Sequence, residues 1–273
     1  MRDQPVITSP ANPLFRRLRL LATSSRRKGS SFFFEGVQPV WRAVEAKAPV
    51  ELVVVAPELV QGTPAERLVE EAEAAGIASA YLSGELFARL SGRDGPSGVA
   101  AVCDGHVASL EDLVPGSDDV VLVLHEVANP GNLGSIVRTA DAGGAAAVVL
   151  SGRTADPFST TAVKASMGSI FSVPVVRAAT AEEVFHWAGR HGVRTLTTSA
   201  HASTSYLDTS SARPVAVVFG SEGEGLGAAL LGLGDEQIRI PMVGSASSLN
   251  LSVSVGIVLF ALQAERLARA PVR

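Results

Sequence analysis

The stretch Val215-Ala216-Val217-Val218-Phe219 runs directly into Gly220-Ser221-Glu222-Gly223-Glu224-Gly225-Leu226. Five apolar residues, three of them Val, give way at once to Gly and small polar residues. That pattern describes a buried strand that ends in an open loop. Two other places repeat it. Val120–Leu124 leads to Asn129-Pro130-Gly131-Asn132-Leu133-Gly134-Ser135-Ile136-Val137-Arg138, and Gln237–Ile240 leads through Pro241-Met242 to Ser247-Ser248-Leu249-Asn250. Each loop is followed by a helical pattern, and α/β proteins place ligand loops at such strand ends.

Working outward, the second half of the chain alternates regularly. Further strands are expected at Ala147–Leu150, Val173–Val176 and Thr195–Thr198, with helices near 132–143, 158–167, 181–191, 226–231 and 249–268. Near-continuous apolar strands between helices imply a parallel sheet covered on both faces. The last helix is apolar on most sides up to Gln263, which suggests burial against a partner as well as the sheet. The first half also reads as α/β. Helices are expected at 11–24, 37–46, 64–75 and 86–90, and strands at Phe32–Glu35, Leu52–Ala56 and Val99–Cys103. Weak periodicity around Pro115-Gly116 marks a linker. The expected division is 1–104, a linker at 105–118, and 119–273.

Composition narrows the class. The 273 residues are 47% hydrophobic and 18% charged, which excludes a disordered chain. No apolar run is long enough to cross a bilayer. The N-terminal residues lack the apolar core of a signal peptide, so the expected location is the cytoplasm. A single cysteine, Cys103, allows no internal disulfide and argues against a cysteine metal site, and the five histidines have no metal spacing. No metal is expected. The net charge is −4, yet residues 1–30 hold seven basic residues against one acid, leaving the remainder at −10. A basic arm on an acidic body suits nucleic acid, with Arg16, Arg17, Arg26, Arg27 and Lys28 as contacts. The competing reading is a solvated amphipathic helix.

The loops carry the chemistry. Gly131 and Gly134 let backbone approach a ligand at a helix start. Arg138, two turns into that helix, is the residue type that grips phosphate or carboxylate, unless Asp141 on the same helix ties it down. Gly223-Glu224-Gly225-Leu226-Gly227-Ala228 matches a dinucleotide fingerprint, but the next strand carries no acid at its end, and Glu222 and Glu224 would repel a pyrophosphate. Ile240, Met242 and Leu249 would wall an adenine whose edge backbone groups read, although Ser247 or Ser248 would also serve as an ordinary helix cap.

These three segments, in this order, resemble the three motifs of the SpoU (TrmH) class of S-adenosylmethionine-dependent RNA ribose 2′-O-methyltransferases. Gly220-x-Glu222 with Ile240-Pro241-Met242 and Ser248-Leu249-Asn250 carries the resemblance. Arg27-Lys28 followed by Phe34-Glu35-Gly36 resembles, less specifically, the substrate-binding domain that often precedes it. The resemblance implies a C-terminal parallel-sheet α/β methyltransferase domain with a trefoil knot, preceded by a small α/β RNA-binding domain related to ribosomal RNA-binding proteins. It implies S-adenosyl-L-methionine held at Thr198, Ser199, Gly220, Ile240, Met242, Ser248 and Leu249. It implies Asn129, Arg138, Glu222 and Asn250 as the catalytic group, and a homodimer packed through the last helix. Arg138 is either the proton acceptor or a stabiliser of phosphate and developing alkoxide.

The expected activity is methyl transfer to a ribose 2′-hydroxyl of RNA. The two-domain layout favours 23S ribosomal RNA, with a role in antibiotic resistance among what the family includes. A tRNA methyltransferase and a non-catalytic RNA-binding or ribosome-assembly factor are the alternatives. A nucleotide-dependent oxidoreductase ranks below them for want of the ribose-binding acid.

Overall fold

A computed structural model describes residues 5–23, 29–91, 95–210 and 212–264. The chain forms two compact units. One comprises residues up to His106 together with Phe158–Ser172, and the other takes Val107–Pro157 and the chain from Val173 onward.

The first unit contains β1 (Val6–Ile7), α1 (Pro13–Thr23), β2 (Ser31–Glu35), α2 (Val37–Glu45), β3 (Val50–Val55), α3 (Pro57–Val60), α4 (Pro64–Ala74), β4 (Ser79–Leu82), α5 (Gly84–Ala88) and β5 (Val99–Asp104). Its sheet runs β1-β4-β3-β5-β2, with β5 antiparallel to both β3 and β2 and the other pairs parallel. Alternation in β2 sends Phe33 to a core with Phe15, Leu18 and Val54, while Phe32 and Phe34 face the opposite way. Cys103 is buried in β5, and burial pushes its thiol up to about 12.

The second unit contains β6 (Ala108–Ser109), β7 (Val120–His125), α6 (Pro130–Gly143), β8 (Ala147–Ser151), β9 (Val175–Ala178), α8 (Ala181–His191), β10 (Arg194–Thr198), β11 (Thr204–Ser205), β12 (Val215–Phe219), α9 (Ala228–Leu231), β13 (Glu236–Arg239) and α10 (Leu251–Leu262). Between β8 and β9 lies α7 (Thr160–Ser166). The sheet order is β11-β13-β10-β12-β7-β8-β9-β6, and every pair is parallel. Its central strands are fully buried, as their apolar runs imply. One face packs around Trp187, and α10 packs against α6. Val253 and Phe260 of α10 remain 49% and 43% exposed. No helix among the described residues is long and apolar enough to cross a membrane.

Two segments differ from the sequence reading. The helix expected at 158–167 exists as α7, but it belongs to the first unit, where it packs on β2. The cause is aromatic. Phe158 and Phe171, on either side of α7, meet Phe32 at ring-centroid distances of 4.9 and 6.3 Å, and Phe171 meets Phe34 at 5.1 Å. The stretch 105–118 is also more ordered than a linker. Ala108 pairs with Val176, Leu110 is buried, and the Leu113 carbonyl accepts a 2.9 Å hydrogen bond from the Trp187 indole.

Candidate active site and cofactor cleft

All three loops leave the carboxyl ends of strands in the parallel sheet. Asn129 ends the first and caps α6, its Oδ1 accepting from the backbone N–H groups of Gly131 (2.8 Å) and Asn132 (3.1 Å). Pro130 suits the first helical position because its missing N–H has no partner there anyway. In the second loop, Gly220 is irreplaceable on steric grounds. A Cβ there would lie 2.1 Å from the Gly225 carbonyl carbon, because the chain folds back so that Gly225 N–H reaches Ser221 O at 3.1 Å. In the third, Asn250 caps α10 by accepting from Ser252 N–H (2.9 Å) and Ser252 Oγ–H (2.6 Å).

One side chain that the sequence reading passed over ties the three loops together. Asn132 Nδ2 donates to Glu222 Oε1 at 2.9 Å, and Asn132 Oδ1 accepts from Asn250 Nδ2 at 3.1 Å. The chain Asn250→Asn132→Glu222 thus bridges loop three, loop one and loop two. An amide is the right group at its centre, since it can accept from one partner while donating to the other. Asn129, assigned to the catalytic group, has its carbonyl oxygen engaged in capping. Arg138 is exposed and makes no hydrogen bond or ion pair with another described residue, so no bond to Asp141 holds it.

Beside this bridge lies a cleft with about 720 Å³ of free space, including the part open to solvent. Thr198, Ser199, Gly220, Ile240, Met242, Ser248 and Leu249 all line it, together with Phe219, Ser221, Leu251 and Val258. Thr198 Oγ1 donates to Val218 O at 3.0 Å and Ser199 N–H to Ile238 O at 3.0 Å, which fixes the ends of β10, β12 and β13 against one another.

The basic residues divide. Arg16 is exposed on α1. Arg17 instead pairs with Glu51 at 2.5 Å, and Ser31 Oγ donates to the same carboxylate at 2.7 Å. These bonds hold the Glu51 carboxyl below its ordinary value, Ser31 contributing most and Arg17 next. Arg26, Arg27 and Lys28 lie outside the described residues.

Residues 119–260 match the model of the SpoU rRNA Methylase family. The chain belongs to that family. Residues 12–101 of this SpoU protein match the MRM3-like substrate binding domain. It is 32% identical over 245 residues to a 23S rRNA (guanosine(2553)-2′-O)-methyltransferase of Bacillus subtilis, covering 90% of this chain and 93% of that one. It is 31% identical over 252 residues to a 23S rRNA (uridine(2479)-2′-O)-methyltransferase of Streptomyces viridochromogenes, covering 90% and 86%. Among solved structures it resembles an AdoMet-bound rRNA methyltransferase from Sinorhizobium meliloti, with a TM-score of 0.85 and 32% identity over 96% of this chain and 98% of that one.

Proposed function

We propose that this chain transfers a methyl group from S-adenosylmethionine to a ribose 2′-hydroxyl of 23S ribosomal RNA. The observation that carries the reading is the cleft with the Asn132 bridge at its rim, built from the loops of a SpoU protein.

The cleft suits the methyl donor. Its apolar walls at Ile240, Met242 and Leu249 fit an adenine, and the bare Gly220 backbone leaves room that a side chain would fill. Thr198, Ser199 and Ser248 add polar groups around it. When bound, the donor supplies an electrophilic methyl on a sulfonium.

The protein's own residues align the acceptor. Glu222 and Asn250 are held by Asn132 and shape the rim, with Asn129 starting the helix that bears Arg138. Arg138 binds a phosphate of the acceptor strand and stabilises charge developing on the 2′-oxygen. A guanidinium surrenders its proton too reluctantly near neutral pH to serve well as a literal base. Residues 1–104, with Phe158–Ser172 completing their unit, hold the RNA through Arg16 and the basic segment that follows α1. The protein acts in the cytoplasm as a homodimer joined through α10, whose exposed Val253 and Phe260 fit such an interface. A trefoil knot belongs to the same reading. It is supported by a chain that leaves β13 on the far side of β10 from β12 and then sets α10 on α6.

The test is transfer of radiolabel from S-adenosylmethionine to unmodified ribosomal RNA and, separately, to tRNA, with the label mapped by nuclease digestion and mass spectrometry. Label at one 2′-oxygen of 23S RNA is expected. Label confined to tRNA, or on a base, would overturn the proposal.

A further inference from the structure

A second polar construction stands beside the cleft and has no part in the reading above. β7 and β8 pair in register up to His125 opposite Ser151. The next residue of each strand, Glu126 and Gly152, turns with positive φ, 55° and 65°. That conformation is unfavourable for Glu, so its surroundings must hold it. They do so with several bonds. Glu126 N–H donates to Ser151 O at 3.0 Å and Ala155 N–H to Val127 O at 2.8 Å. His125 Nδ1 lies 3.2 Å from the hydroxyl of the fully buried Ser151. From β9, half-buried Arg177 donates through Nη1 to Gly152 O (3.3 Å) and Thr154 Oγ1 (2.7 Å). The two turns are so close that a Cβ on Gly152 would lie 2.9 Å from Glu126 Cγ.

The result is a braced double turn. It displays Arg153, which is exposed and makes no hydrogen bond or ion pair with another described residue, the neighbouring Glu126 included. Its position matters. The cleft lies over the ends of β10, β12 and β13, and the next strand along the sheet from β12 is β7, with Leu124 opposite Phe219, followed by β8. The helix that follows β7 carries Asn132 and Arg138. The double turn therefore stands on the acceptor's side of the cleft. An unpaired guanidinium on a rigid mount is suited to phosphate, and phosphate contacts set the register of a nucleic-acid strand.

We propose that the paired turns after β7 and β8 form a second phosphate seat for the acceptor RNA, with Arg153 contacting a backbone phosphate and Arg177 as the positioning residue that braces the turn. The proposal deepens the RNA methyltransferase reading and rests on it.

The experiment measures binding of the full chain to unmodified 23S rRNA across a salt series, with KM and kcat for methyl transfer and the affinity for S-adenosylhomocysteine. Arg153→Ala is expected to weaken RNA binding roughly fivefold and to make the slope of log affinity against log salt shallower by about one. KM should rise while kcat and S-adenosylhomocysteine affinity stay as in the wild type. Arg153→Lys, which keeps the point charge, should restore the slope. Arg177→Lys should weaken RNA binding in the wild-type background and add nothing to Arg153→Ala, as expected of two residues acting as one unit. Arg153→Ala with wild-type affinity and slope, beside a wild type that binds cofactor and methylates the RNA, would overturn the phosphate seat alone. A wild type that does neither would overturn the reading beneath it.

Discussion

The two units use strands and helices of similar length for different ends. In the first, the side chains that stand out are large and buried. Phe32 and Phe34 meet Phe158 and Phe171 on one face of the sheet, and Phe33 joins Phe15 and Leu18 on the other. In the second, the strands are as well buried, but the loops beyond their carboxyl ends are not. Pro241–Asn250 is exposed throughout, and so are Glu222, Glu224, Asn129 and Arg138. Small and polar residues in open loops contribute little to stability, and under the proposed function a ligand accounts for their arrangement. Substitutions of the buried side chains of the first unit should therefore be read in folding, and those in the loops of the second in binding and turnover.

Phe34→Ala tests the first half of that contrast and should have the largest effect. Truncating this buried ring is expected to cost about 3–5 kcal/mol, seen as a lower midpoint in thermal or denaturant unfolding. Below that midpoint, affinity for S-adenosylhomocysteine should match the wild type. A matching loss of cofactor affinity would break the comparison.

Asn132→Ala tests the other half. Its two bonds are exposed, so unfolding should change by no more than about 1 kcal/mol, while kcat falls on the order of 100-fold as the three loops lose their common partner. A loss seen only in stability would make Asn132 a packing residue. Arg138→Lys should lower kcat about tenfold, because an ammonium replaces a bidentate fork with a point charge. Near-wild-type turnover would remove the geometric role assigned to the guanidinium.

The smallest effects sharpen the picture of the basic face. Arg16→Ala should weaken RNA binding more than Arg17→Ala, since Arg17 is already paired with Glu51. The Glu51 carboxyl is held below its ordinary value by Ser31 and then Arg17. Its contribution to stability is therefore present above the unfolded pKa and fades as pH falls through the folded one. Both partners are well exposed, so that contribution is under about 1 kcal/mol. A pH titration of unfolding for Arg17→Ala against wild type measures it.

The parallel sheet and the cleft were legible because their signals are local. Val215–Phe219 reads as a buried strand from its own residues, and Gly220, Ile240, Met242 and Ser248 sit in short motifs whose resemblance to a known family can be read without their partners. What escaped depends on distance along the chain. The partners of Asn132 are 90 and 118 residues away, so nothing near it distinguishes it from Asn129. The destination of α7 is set by Phe32 and Phe34 in the other half of the sequence. The pairing of Arg17 with Glu51, 34 residues on, has no local signal either. Ser79–Leu82, four residues without alternation, gave no strand signal at all.

The most direct test of the account is a calorimetric titration of the full chain with S-adenosylhomocysteine, run beside Gly220→Ala. One site per chain is expected for the wild type. For Gly220→Ala, whose Cβ would meet the Gly225 backbone at 2.1 Å, affinity should fall more than about 100-fold, alongside an overpacking cost of about 1–3 kcal/mol in unfolding. Absence of binding to the wild type, or equal binding by both proteins, would contradict the placement of the cofactor in this cleft.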